Sequence, residues 1–589
     1  MKQFFKMFFA SILAFFVAAV ILFFAGFIFT VGVISSFGTS TKPTLPQANE
    51  NVFKLSLNGS VREVTTSNPF SGLFSNEETL SLDDIVKAIQ VAKENSNIQG
   101  IYLDASYLAT GSANIDVIRR ALQDFKDSGK FVVAYADSYT QGCYNLCSVA
   151  DEVFMNPMGN LNLMGFASMS EFYKGLLKKV GVEMMVFKVG TYKGAVEPFT
   201  NERLSDENRE QITSYQQSIW KNVVKNIASG RNIPEETVNL FADSGYMFAS
   251  AQKAVELGLI DGLKYREDVE NYIKEKVGAD TKKELKTVSV NKLTRLYKPA
   301  NYSSNKIAVV YAEGDIMPSS MVSKYSDRNY ITEDLVDELI KLKNDDNVKA
   351  IVLRVNSPGG SGYVSEQIWN QVNAIKQNKK IVVSMGNLAA SGGYYISCAA
   401  DKIVSEPNTL TGSIGVFGLI PNLTGLYDKL DLKTDVVKTN KYADMGDLTR
   451  PWREDEKQLM QNYINNFYDI FLTRCADGRG KTKEQIDSIA QGRVWTGEQA
   501  LERGLVDELG DLNRAVELAA ELANLSDYEI KNVSTTTDPI TEFFKKQMGD
   551  MKSSIVKDFI GEDAELLNTL RMVRETEGVQ ARLPYDFEF

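Results

Sequence analysis

Short runs of apolar and β-branched residues alternate along this chain with stretches whose apolar positions recur every three or four residues. KIAVVYAEG (306–314) reads as a strand, and Leu335, Val336, Leu339, Ile340 and Lys343 then follow the i, i+4 spacing of a helix with one buried face. AIVLRV (350–355) predicts a second strand, Val364 to Ile375 a second helix, and KIVVSM (380–385) a third strand. Continuous apolar strands of this kind suit a sheet covered on both faces, with right-handed helical crossovers between parallel strands. The predicted class is α/β.

The pattern occurs twice. ADEVFMNP (150–157) matches ADKIVSEP (400–407) at an offset of 250 residues. GIYLD (100–104) aligns with AIVLR (350–354), and KFVVAYAD (130–137) with KIVVSMGN (380–387). Later, FASAQKAVELGLIDGL (248–263) resembles WTGEQALERGLVDELG (495–510). Four ordered blocks make a tandem duplication, and repeats of this kind decide the architecture before any single motif does. The predicted copies span residues 50–280 and 306–530. Residues 281–305, polar and without a clear period, read as the joint, and residues 531–589 form an acidic, helix-prone tail with no assignment.

The N-terminus departs from this alternation. Residues 7–34 carry no charge over 28 positions. About 20 apolar residues span a bilayer, and a cleavable signal has an apolar region of only about 7 to 15, so an anchor is expected. Lys2 and Lys6 precede the span and the next basic residue is Lys42, which keeps residues 1–6 in the cytoplasm and places the body on the outer face of the membrane. The net charge of −11 comes without a basic block, so nucleic-acid binding has no electrostatic footprint. The chain has no histidine, which excludes the common His-containing zinc sites, and its four cysteines are too few for a disulfide framework. Cys143 and Cys147, four apart, fit one buried helix face better than a metal site. No cofactor or metal is expected.

The differences between the copies carry the candidate chemistry. In NLAASGGYYIS (387–397), Ser391 sits between two alanines and two glycines; the equivalent position of the first copy is Gln141. NSPGGS (356–361) falls on 105–111, where Pro358 and Gly359 become Leu108 and Ala109. Conversely, Lys193 in GTYKGAVEPF (190–199) falls on Ala443. One copy thus holds a serine and a glycine turn, the other a lysine in a glycine-flanked loop. A serine hydroxyl needs an adjacent base to attack, and without histidine a neutral lysine can serve. Its ordinary pKa near 10.4 must then fall, which burial in a dry cleft achieves. Ser413 in TLTGSIG (409–415) is the candidate to hold that amine; Lys438 and Lys441 are competing bases. The glycine turn suits an oxyanion site built from backbone N–H groups, with Gly360 as first choice, Gly359 as alternative, and Gly392 at a helix N-terminus as second donor.

At GTYKGAVEPFT, VNSPGGS, NLAASGGYYIS, PNTLTGSIGVFG and GLVDELG the chain resembles the signal peptide peptidase A (protease IV) family, in its long duplicated form. The resemblance runs from the anchor to about residue 530. It implies a ClpP/crotonase-like domain in each copy and a Ser/Lys dyad in which Ser391 is nucleophile and Lys193 base, with Ser413 hydrogen-bonded to the lysine. It further implies digestion of released signal peptides and a homo-oligomeric bowl, a tetramer. Two other readings keep the fold: an inactive, anchored peptide-binding scaffold, and an acyl-thioester enzyme of crotonase type. The first conflicts with the complete set of catalytic residue types, the second with the outer-face orientation.

Overall fold

The apolar runs become the central strands of two largely parallel sheets, one per copy, in a computed structural model that describes residues 51–64, 80–297, 302–322, 329–533 and, as backbone, 579–582. The first sheet runs Leu80–Ser81, Val52–Arg62, Gly100–Ala109, Phe131–Ala136, Glu152–Met155, Gly262–Leu263, all parallel. The second runs Val494–Thr496, Leu410–Gly412, Lys380–Ala390, Val348–Ser357, Lys306–Glu313, Glu529–Val533, parallel except at Val494–Thr496. Residues 350–355 and 380–385 and all but the last of 306–314, expected as strands, lie on three adjacent strands of the second sheet. The two expected helices are Asp334–Asn344, burying Leu335, Leu339 and Leu342, and Gly362–Lys376, burying Val364, Ile368, Val372 and Ile375.

Two segments hold short elements that show no period in the sequence. Within the joint 281–305, Thr287–Val288 pairs with the first strand of the first sheet, and Val290–Thr294 is a helix that buries Val290 and Leu293 in the first core. Elements of two and five residues are too short to display a period. At the other end the second sheet continues past residue 530, because Glu529–Val533 pairs in parallel with Lys306–Glu313. The expected anchor at 7–34 and most of the tail fall outside the described residues, among which no helix is long and apolar enough to cross a membrane.

A third sheet interlocks the copies. Its order is Tyr330–Ile331, Asp315–Ile316, Gly359–Ser361, Val579–Arg582, Val416–Asn422, Glu183–Val189. The last strand comes from the first copy and pairs antiparallel along its whole length with Val416–Asn422 of the second, Val189 facing Val416. The cores interpenetrate: Ala390, Leu410 and Val494 pack in the first, Phe187 in the second. Buried charges also cross the boundary. Arg354 of the second copy, 1% exposed, binds both carboxylate oxygens of Glu63 at 2.9 and 3.2 Å, and Arg120 of the first meets fully buried Glu406 at 2.5 Å.

Candidate active site

Three backbone segments converge where the copies meet. Lys380–Ala390 pairs at its end with Leu410–Gly412, Ala390 facing Gly412, so the residues following each strand, Ser391 and Ser413, emerge side by side. The Ser391 N–H donates to the Gly412 carbonyl at 2.8 Å, and the helix Gly392–Ser397 starts at the next residue. Ser391 holds φ 56° and ψ −113°, and Ser413 has φ 50°, so both serines sit in backbone that most residues avoid. The small neighbours have a direct cause: a Cβ on Gly393 would lie 2.7 Å from the Ser357 carbonyl oxygen.

The third segment is the lysine loop. Cross-copy pairing ends at Val189, and four residues later Lys193 reaches into the second copy. Gly492 is pressed against its backbone, so that a Cβ there would stand 2.7 Å from the Lys193 nitrogen, and the Tyr192 N–H donates to the Gln491 carbonyl at 2.8 Å. Lys193 Nζ then lies 2.7 Å from Ser391 Oγ and 3.0 Å from both the carbonyl oxygen and Oγ of Ser413. Lys193, Ser391 and Ser413 are each 0% exposed. Burial penalises the ammonium and holds the Lys193 pKa well below the ordinary lysine value. A neutral amine has two hydrogens and one lone pair. Ser413 offers two acceptors for the hydrogens, which leaves the lone pair to accept from the Ser391 hydroxyl.

The competing lysines are elsewhere, each in an ion pair. Lys438 pairs with Asp444 at 2.8 Å and Lys441 with Asp455 at 2.5 Å on an exposed loop. Of the two turn glycines, Gly359 already donates its N–H to Ser357 Oγ at 3.1 Å, whereas Gly360 holds φ 151° and lies so close to Ile316 that a Cβ would meet its carbonyl oxygen at 2.1 Å. Gly360 is also a sheet residue, paired with Ile316 on one side and Ala581 on the other. Gly392 opens its helix, where a first-turn N–H has no helical partner. In the first copy Gln141 is engaged differently, because its Oε1 accepts from the N–H groups of Met164 and Gly165 at 3.1 and 2.8 Å. Cys143 and Cys147 are buried in the helix Gln141–Cys147, and among the described residues no cluster of Cys, Asp or Glu could hold a metal.

Two features of the site had no signature in the sequence. The tail strand Val579–Arg582 lies antiparallel between Gly359–Ser361 and Val416–Asn422, with Ala581 opposite Gly360. Beneath the lysine loop, Glu197, Asn208 and Gln211 form a buried polar chain. An isolated Gln and Asn on a long amphipathic helix are indistinguishable from surface residues until the helix is packed.

The model of peptidase family S49 matches residues 124–280 and 373–526, one segment in each copy, and that of Clp protease matches 303–410. Protease 4 of Salmonella typhi is 39% identical over 76% of this chain and 73% of its own length. Protease 4 of Haemophilus influenzae is 34% identical over 85% and 84%. The chloroplastic serine protease SPPA of Arabidopsis thaliana is 30% identical over 90% and 77%. The chain belongs to peptidase family S49 and is a serine peptidase of the protease IV, or signal peptide peptidase A, type.

Proposed function

We propose that Ser391 is the nucleophile and Lys193 the general base of an endopeptidase that degrades released signal peptides at the outer face of a cytoplasmic membrane. The observation that carries this reading is the 2.7 Å contact between an amine and a hydroxyl that are both fully buried, with the amine's pKa lowered by that burial. Lys193 takes the Ser391 proton as Oγ attacks the peptide carbonyl. Ser413 holds the amine's own hydrogens through its hydroxyl and carbonyl, so the lone pair stays directed at Ser391. The N–H groups of Gly360 and Gly392 face the developing oxyanion, where loss of one donor costs about 2.7–4 kcal/mol. The protonated lysine returns its proton to the leaving amine, and water repeats the sequence on the acyl-enzyme.

A peptide would enter as an extended strand. The slot between Gly359–Ser361 and Val416–Asn422 accepts a four-residue antiparallel strand from the chain's own tail, main chain to main chain. Such pairing binds by backbone and leaves side-chain preference to flanking pockets. The uncharged stretch 7–34 supplies the anchor in this reading, and an anchored peptidase meets apolar helices released into the bilayer first. Assembly into a homo-oligomeric bowl, with dyads facing its interior, belongs to the same proposal.

The decisive test is hydrolysis of a fluorogenic apolar peptide by the Ser391→Ala and Lys193→Ala variants. Each should lose at least about 10²–10⁴-fold in kcat, the usual contribution of a positioned base. Unchanged turnover by either removes the dyad. In sealed right-side-out membrane vesicles, digestion of the body by added protease marks an outer-face site, and its protection a cytoplasmic one.

A further inference from the structure

The buried polar chain under the lysine loop has no part in the chemistry just described, yet it is fully wired. Gln211, 1% exposed on the helix Asp206–Arg231, donates from Nε2 to the Tyr192 carbonyl and to Asn208 Oδ1, both at 2.8 Å. Its Oε1 accepts from the Val494 N–H at 3.0 Å. Asn208 donates in turn to Glu197 at 3.1 Å, and Glu197 also takes the hydroxyl and N–H of Ser205 at 2.5 and 3.1 Å.

Both backbone partners of Gln211 are next to the dyad. Tyr192 directly precedes Lys193. Val494 pairs with Gly412, the residue before Ser413, and the Ser413 N–H donates to the carbonyl of Arg493 at 2.7 Å. One side chain thus ties the backbone that carries the lysine to the strand pair that carries Ser413, across the boundary between copies. We infer that Gln211 is a positioning residue that sets the reach of Lys193 to Ser391 and Ser413; this rests on the dyad reading above.

The side-chain chemistry is selective. A carboxamide both donates twice and accepts, and a carboxylate only accepts. Asparagine is one methylene shorter, and methionine fills the space without hydrogen bonds. The lysine stem is long and flexible, so where its amine rests depends on where its backbone is held. A displacement of about 1 Å in a reacting group can cost about 10²-fold in rate. The charged groups around this loop are Glu197, engaged as described, and Glu210 and Arg493, paired at 2.8 Å, with Arg493 also bonded to the Tyr192 hydroxyl.

The test compares full-length Gln211→Met and Gln211→Glu with wild type and Lys193→Ala, reading kcat and KM on an apolar peptide across pH, with thermal melts alongside. Gln211→Met should lower kcat by about 10–100-fold with KM within about 3-fold. Gln211→Glu should lower kcat and also move the acid limb of the profile to higher pH, because a buried carboxylate beside the loop favours the ammonium. Wild-type kcat and an unmoved limb in both variants overturn the inference, and so does loss of the folded state in both, which would make Gln211 a folding residue. Should Lys193→Ala keep its activity, the dyad reading itself fails; if it is inactive while both Gln211 variants match wild type, only the positioning role falls.

Discussion

Burial of the Lys193 amine acts in opposite directions on stability and on catalysis. An unfolded lysine keeps its proton up to about pH 10.4, whereas the folded amine releases its proton well below that. Between the two values the unfolded state binds the extra proton, so stability rises with pH across that window, and the penalty is complete below the folded pKa. Lys193→Met should therefore melt higher than wild type at neutral pH, by about 2–4 °C for each kcal/mol recovered, with the gain shrinking as pH approaches 10. Calorimetry at several pH values measures it. Catalysis needs the neutral amine, so kcat/KM should fall as pH drops through the depressed pKa and stay level above it. An acid limb near pH 10 would show an ordinary lysine and contradict the proposed base. At this scale much was legible in the sequence: a serine among small residues, a glycine turn and a lysine loop, each in only one copy. The lowered pKa of the lysine was not, because it depends on the 0% exposure that packing imposes.

At the scale of elements, the reach of the lysine depends on how closely strands and loops approach. Gly492 holds φ 78° and leaves no room for a Cβ beside Lys193 N, Cα and Cβ, at 2.7 to 2.9 Å. Gly278 has a similar φ of 68° but open space around it. Gly492→Ala should thus lower kcat by about 10–100-fold by displacing the loop. Gly278→Ala, which meets only the backbone penalty of about 1–2 kcal/mol, should lower the melting temperature and leave kcat alone. Comparing kcat and thermal melts of the pair separates approach from strain. The central strands and amphipathic helices were readable because each repeats its period several times. The helix Val290–Thr294 and the strand Val579–Arg582 were not, since four or five residues carry no period and their pairing partners are distant in sequence.

At the scale of the whole molecule, the copies behave as two parts of one site, joined by the shared sheet and by buried charge. Removing Arg354 would strand the Glu63 carboxylate in the interior, so Arg354→Met should cost about 3–5 kcal/mol, while Arg354→Met with Glu63→Leu should recover most of it. Chemical denaturation of wild type and the two variants measures both. A peptide that uses the slot beside Gly360 must displace Val579–Arg582. A chain ending at residue 578 should consequently show a lower KM for short apolar peptides, by a few-fold to about 10-fold, with kcat unchanged, in steady-state kinetics; an unchanged KM would mean that the strand and the peptide do not compete.

The α/β alternation, the duplication and the family are properties of local order: hydrophobic period, repeated blocks and short motifs survive in one dimension. Which atoms meet is a different matter. Lys193 and Ser391 are 198 positions apart, and it takes the antiparallel pairing of Glu183–Val189 with Val416–Asn422, together with the packing of the lysine loop on Gln491 and Gly492, to bring them to hydrogen-bonding distance. The dry surroundings that lower the amine's pKa, the Gln211 bridge beneath it and the tail strand in the slot are likewise products of packing, because burial and hydrogen-bond partnership exist only once distant segments share space.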